Sequence, residues 1–471
     1  MKVKISKLRL LDVILIICNF MQLVMLFIGG IFESNRLCSI IHINLYIIIF
    51  SILMNLAFKG IARRYLCFSF FLCFFIFLMG QKIFTEKSNV FLTFVRTELN
   101  YEQYLTFLTL LSCGIILTYY GYCYFQNQNK QKKKTLFTSQ NYSLLNVVRI
   151  LYFTTLPFAL YMQVVIVIAK STLSYTGGYL INIDIPIIIR IANYIFSAVT
   201  MVYLAIKPSK KEMMFVLSAF LVICGSIQIF LGRRALFATT LLFIVWYLIK
   251  YYDIVKIRKK YWIIGAISVI GIFLLFFIVE QQRSVNKASV SSVFDIVRDL
   301  MISTGGSDSV IANTIVQHDN FPDSKISYLI NPIVNNPITN ILTGKMGVNQ
   351  GYEYIKNFNS FSHELSYLTE SSLYLAGYGM GGSYIAEVYL SFGIIGVCVV
   401  SILLGKVIST LENITLTNNV FVNAIYFILV KFLFILPRTE LFSWVSDMIY
   451  LLFVFLLIYP FYRKKYQKIY K

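Results

Sequence analysis

The chain has 471 residues, 58% of them hydrophobic and 13% charged, with a mean hydropathy of +0.73. Soluble domains are about 45–50% apolar and about 25% charged, so a single soluble fold, a disordered chain and a secreted disulfide scaffold are excluded. The net charge of +21, from 42 Lys+Arg against 21 Asp+Glu, would suggest nucleic acid in a soluble protein, but in a membrane protein it reports basic inner loops.

A bilayer core needs roughly 20 apolar helical residues. Twelve runs qualify, at 10–31, 37–57, 66–84, 104–124, 148–169, 185–206, 213–231, 235–251, 262–280, 384–405, 420–437 and 444–461. The predicted fold is an all-α polytopic membrane protein of about 12 spans. Its organisation is spans one to nine in 1–280, a large external loop in 281–383, and spans ten to twelve with a basic tail in 384–471.

The first run follows Lys2, Lys4, Lys7 and Arg9 without a small-residue cleavage site, which predicts a retained helix. With that end inside, the inner segments carry 25 of the 42 basic residues against Glu212, Asp253 and Glu412. The bias predicts that both termini are cytoplasmic. The outer segments carry 14 basic and 15 acidic residues, and the diverse polar chemistry lies there. The eight cysteines lie in or beside apolar runs with no CxxC pair, which predicts buried, inert thiols.

Between the seventh and eighth spans, Gly232-Arg233-Arg234 leaves almost no loop. Guanidinium groups bind phosphate bidentately and keep their charge, so Arg233 and Arg234 are candidates for a lipid-linked diphosphate. The alternative is snorkelling to headgroups. Arg283, just past the ninth span, has the same depth. The 103-residue loop that follows, 281–383, is too long to be structureless without a function. Val290, Val293, Phe294, Val297 and Met301 recur at helical spacing, and Arg298 lies across from them on this amphipathic segment. In the apolar tract 326–342, Pro332, Pro337 and four asparagines argue against a span.

His363, in Ser362-His363-Glu364, has the side chain best suited by pKa to move a proton near neutrality. No HxxxH, HExxH, CxxC or DxD pattern marks a metal, and neither a metal nor a cofactor is expected. Next comes Gly377-Tyr378-Gly379-Met380-Gly381-Gly382-Ser383, leading into the tenth span. Glycines allow tight turns and close approach to a ligand, and a helix N-terminus favours phosphate. Gly381, Gly382 and Ser383 are therefore candidate diphosphate contacts. Glu387, one turn inside the span, is a costly intramembrane carboxylate and a functional candidate by default.

The stretch Gly379-Met380-Gly381-Gly382-Ser383-Tyr384-Ile385-Ala386-Glu387, followed by Phe392-Gly393-Ile394-Ile395-Gly396, resembles the signature of Wzy-type O-antigen and oligosaccharide repeat-unit polymerases. Ser362-His363, the mid-chain Gly-Arg-Arg, the twelve spans and the large late loop are similar too. The resemblance implies a fold like membrane-embedded glycosyltransferases that use lipid-phosphate donors. It implies a substrate oligosaccharide on undecaprenyl diphosphate, at the outer face of the bacterial cytoplasmic membrane. The growing glycan would pass to the non-reducing end of a new lipid-linked unit, without a metal. The bilayer and a chain-length regulator of the same pathway would be partners, and nucleic acid would not. The catalytic candidates are His363, Arg233, Arg234 and Glu387, with Glu364 an alternative base. The diphosphate candidates are Arg233, Arg234, Arg283, Arg298, Gly381, Gly382 and Ser383. An Arg-x10-Gly motif of some relatives is absent, because Phe294 lies eleven residues past Arg283. Two competing readings stay open: a ligase of similar layout, and a repeat-unit flippase. Flippases usually show internal repeats and even loops, and neither is visible here.

Overall fold

The computed structural model describes residues 2–84, 93–94, 96–128, 142–171, 185–230, 233–252, 298, 301–302, 304–322, 326–336, 339–340, 343, 350–414, 417 and 419–469. The predicted ninth span at 262–280, Gly232, Arg283 and most of the predicted amphipathic segment around Val290–Met301 lie outside these residues. Arg298 is described and half-buried.

The described residues form an all-α bundle. Its first spans are α1 (Leu10–Gly29), α2 (Asn35–Phe58) and the shorter α3 (Tyr65–Leu78). Then come α4 (Tyr101–Asn127), α5 (Leu144–Ala169), α6 (Ile187–Ala205), α7 (Lys210–Ile229) and α8 (Arg234–Tyr251). Three short helices follow, α9 (Asp308–Val316), α10 (Ile326–Val334) and α11 (Phe361–Thr369). The last spans are α12 (Tyr384–Asn413), α13 (Val420–Arg438) and α14 (Trp444–Phe461). Ten of these helices are long and apolar enough to cross a membrane.

The third span is shorter than the predicted 66–84. Its 14 residues reach only about 21 Å at 1.5 Å per residue. Met79 leaves helical geometry, its carbonyl accepts from Tyr46 Oη (2.9 Å), and a separate short helix, Gly80–Phe84, follows. That segment buries Lys82, whose Nζ sits 3.6 Å over the Phe94 ring.

A hydrocarbon solvent gives helices no hydrophobic reason to associate, so close packing and internal hydrogen bonds carry the contact. Helix α12 lies against α4 with almost no side-chain spacing. A Cβ on Gly405 would stand 2.4 Å from Thr118 O, and one on Gly121 2.8 Å from Ile402 O. The far end of α12 is tied by Glu412, which accepts from Tyr122 Oη (2.6 Å) and the Leu66 amide (3.0 Å). Lys431 reaches Ser197 (3.2 Å) and Asp447 (3.6 Å), joining α13 to α6 and α14. Gln228 donates to Gln163 (3.0 Å), and Gln163 donates to Asn193 (3.1 Å), joining α7, α5 and α6. All eight cysteines are free thiols, buried or half-buried, as expected.

The described part of the tract at 326–342 is mainly a short helix rather than a span. Helix α10 carries Pro332 within it, and an Asn336–Thr339 turn follows. Helix α10 packs on α12 and α14. The segment between α3 and α4 holds a small hairpin, in which Thr93–Phe94 pairs with Thr97–Glu98. Phe94 packs on Phe107 (ring centroids 4.8 Å), so the hairpin is fixed to α4.

Candidate active site

Four segments converge beside the start of α12: the 93–98 hairpin, the α9–α11 region, the glycine loop 377–383, and the stretch 436–443 that ends α13 and leads to α14. Two cavities open there.

The first, of about 160 Å³, is lined by Arg96 and Arg438 together with Ser307, Ser309 and Gly379. Arg96 stands at the hairpin turn with φ 69°, a left-handed conformation that a non-glycine residue rarely adopts. Such strain persists where the surroundings hold it, and it clusters at functional sites. Lys82 over Phe94 and Arg96 Nε to Glu370 (3.5 Å) do the holding here. The fork geometry of a guanidinium keeps further donors available when Nε is engaged. Beneath this cavity Asp308 is fully buried, and desolvation raises its carboxyl to about 6 against the pull of Lys82.

The second cavity, of about 390 Å³, lies in the size range of small-molecule sites. Its wall is mostly neutral and polar: Asn331, Asn335, Ser360, Ser362, Thr439 and Ser443, with Tyr354 as an aromatic surface. Arg438 and Glu440 are the charged residues in it, and Arg438 lines both cavities. A wall of hydroxyls and amides beside an aromatic ring suits a polyhydroxylated ring. A neighbouring pair of guanidiniums suits a diphosphate.

The turn that carries Arg438 and Glu440 is pinned from both sides. The Leu441 amide donates to Glu387 Oε2 (2.6 Å), which places the fully buried Glu387 under the turn. Glu440 Oε1 accepts from the Ser362 amide (3.2 Å) and Ser362 Oγ (2.9 Å) at the start of α11. The glycine loop closes over it. Gly381 has φ +83°, and a Cβ on Gly382 would stand 3.1 Å from both the Glu440 amide nitrogen and its Cγ.

The predicted residues are distributed as follows. Gly381 and Gly382 line the larger, neutral cavity, and Gly382 abuts protein backbone rather than an open phosphate cradle. Ser383 is fully buried as the N-cap of α12. Glu387 supports the Arg438–Glu440 turn. His363 sits one layer behind the cavity wall: Tyr354 covers its ring at 4.2 Å, and its Nδ1 pairs with Tyr374 Oη (3.0 Å). Burial pushes His363 down to about 4, so its ring is neutral at pH 7, and burial pushes the adjoining Glu364 up. Arg233 and Arg234 line neither cavity. Arg233 is exposed, its amide donates to Gln228 O (2.8 Å), and Arg234 opens α8.

Sequence reading did not single out Arg96, Arg438 or Glu440. A signal for the last two does exist. Pro437-Arg438-Thr439-Glu440 places opposite charges in a short turn between two strongly apolar spans.

No curated protein and no solved structure shows a significant match to the chain. The sequence profile of O-antigen polysaccharide polymerase Wzy matches residues 14–468, nearly the whole length, and the chain belongs to that family.

Proposed function

We propose that the protein polymerises oligosaccharide repeat units carried on undecaprenyl diphosphate, at the outer face of the bacterial cytoplasmic membrane and with both termini inside. The growing glycan leaves its lipid diphosphate and joins the non-reducing end of a new lipid-linked unit. The observation that carries this reading is Arg438, which lines a cationic cavity on one side and a hydroxyl-rich cavity on the other. In that arrangement a diphosphate leaving group and a sugar meet at one guanidinium. Fixed positive charge where negative charge develops lowers the barrier, and removing one such donor typically costs about 10²–10³ in rate.

Arg96 and Arg438 hold the donor diphosphate. The exposed Arg233 and the half-buried Arg234, at a span end, hold the diphosphate of the incoming unit, with Arg298 and Arg283 as further diphosphate contacts. His363 and Glu387 position the wall and the turn, and the Gly381-Gly382-Ser383 loop shapes the sugar cavity. A chain-length regulator of the same pathway is the protein partner this reading assigns.

The test is reconstitution of the purified protein with defined lipid-linked units. A ladder of lengthened lipid-linked glycans supports the polymerase. Transfer of finished glycan to a different acceptor would indicate a ligase, and movement of unchanged units across vesicles a flippase.

A further inference from the structure

We propose that Glu440 is the general base of the transfer, taking the proton of the attacking sugar hydroxyl. This rests on the polymerase reading above. The reacting hydroxyl oxygen bonds to the anomeric carbon of the donor sugar. The bond from that carbon to the diphosphate oxygen breaks, and its electron pair stays on the diphosphate beside Arg438. The hydroxyl proton moves to Glu440, which later returns it to water.

The placement comes first. Among the described residues lining the two cavities, Glu440 is the only carboxylate. It shares the larger cavity with Arg438, two positions away. Thr439 between them is extended (φ −143°, ψ 167°), the geometry that turns alternate side chains to one side. Base and leaving-group clamp therefore face the same space. The hydroxyl-rich wall that would orient an acceptor sugar surrounds Glu440 and leaves the smaller cavity to the arginines.

The held geometry comes second. Ser362 fixes Oε1 with two donors, and a carboxylate offers about four lone-pair positions, so capacity for a substrate hydroxyl remains. Glu387 holds the next amide, Leu441, and Gly382 lies so near that a Cβ on it would stand 3.1 Å from the Glu440 amide nitrogen. A base must sit within hydrogen-bond reach of its proton, and a pinned one keeps that register.

The other candidates are placed differently. Glu387 has no exposed surface and already accepts from Leu441. His363 is screened by Tyr354 and paired with Tyr374. Around Glu440 stand Glu387 from α12, Arg438 on its own turn, Tyr354 across the cavity, and Ser360 and Ser362 ahead of α11. Burial raises its carboxyl above the usual range, in the direction a base working near neutrality requires.

The variant E440Q keeps an oxygen for the Ser362 donors and removes only the proton acceptor. With defined lipid-linked units, E440Q is expected to polymerise about 10²-fold or more slowly. It should bind undecaprenyl diphosphate as tightly as the wild type. Azide needs no deprotonation, so adding it should release undecaprenyl diphosphate from E440Q and form the glycosyl azide, read by mass spectrometry. Polymerisation by E440Q at the wild-type rate overturns the assignment, and so does a slow variant that azide does not rescue. If E440Q loses the bound lipid, E440D decides. Polymerisation within about tenfold of wild type supports a working carboxylate, and none overturns it. A wild-type protein that makes no ladder defeats the polymerase reading itself, which is a separate result.

Discussion

Two arginine pairs stand out in this molecule, and they differ in how they were built. Arg233 and Arg234 are neighbours in sequence at the start of α8, where the Arg233 amide donates to Gln228 O and its carbonyl accepts from the Leu236 amide. Arg96 and Arg438 are more than 300 residues apart and meet at one cavity. The first pair is a local feature that a bilayer surface alone could explain. The second needs a strained hairpin, a buried lysine, a glycine loop and an intramembrane carboxylate to exist at all. Local adjacency makes charge conspicuous, whereas tertiary convergence makes it specific. That difference is why the donor diphosphate is assigned to the assembled pair.

The comparison breaks most easily at Arg438. R438A should slow polymerisation by about 10²–10³-fold, the cost of one preorganised donor. The R233A/R234A double variant should instead raise the half-saturating concentration of lipid-linked unit several-fold and keep turnover. Equal losses in both would erase the distinction.

The support beneath the turn comes next. E387A removes the acceptor for the Leu441 amide and leaves that donor unsatisfied, a cost of about 1–3 kcal/mol. Polymerisation should fall about 10- to 100-fold in correspondence. E387Q, which keeps an oxygen there, should fall less, and similar losses in the two variants would show that the amide contact is not what matters. A smaller loss, about tenfold, is expected for G382A, whose Cβ would press on Glu440 at 3.1 Å. G379A, where a Cβ meets nothing within 4 Å, is its control.

The smallest effect is a pH signature that belongs to the assembled site. His363 is held at about 4 against an ordinary 6.5. Below about pH 6.5 the unfolded chain takes a proton that the buried ring refuses, so its contribution is lost as pH falls toward 4. Asp308 is held at about 6 against 3.8, so the folded chain keeps a proton that the unfolded one releases. Its contribution grows as pH falls from about 6 toward 4. The two nearly cancel. Between pH 7 and 5, H363Q should gain and D308N should lose about 1–2 kcal/mol relative to wild type. Melting curves at the two pH values check this, and shifts of the same sign in both variants would contradict it.

Much of the fold was legible because hydrocarbon imposes a simple rule on sequence. Eleven of the twelve predicted spans coincide with described apolar helices, and the ninth lies outside the described residues. The third ends early because Met79 breaks the helix where Tyr46 takes its carbonyl, a tertiary event that hydropathy does not encode. The site was legible in part. The glycine loop and Glu387 were conspicuous for physical reasons, a run of glycines and a charge where lipid forbids one. Their partners were not. Arg96 sits in a short polar loop and Arg438 and Glu440 in a short connection, and each looks ordinary until the chain folds. Glu387 was visible as a cost, but what it supports, the Leu441 amide, lies 54 residues away.

The central claim is that the donor diphosphate lies between Arg96 and Arg438, next to a sugar cavity. The direct measurement is a cryo-electron-microscopy structure of the full chain in lipid nanodiscs with bound undecaprenyl diphosphate. The account predicts phosphate density within hydrogen-bond reach of the Arg438 guanidinium, about 2.7–2.9 Å for a charge-assisted contact. Phosphate density at Arg233 and Arg234 alone, with the Arg96–Arg438 cavity empty, would contradict it.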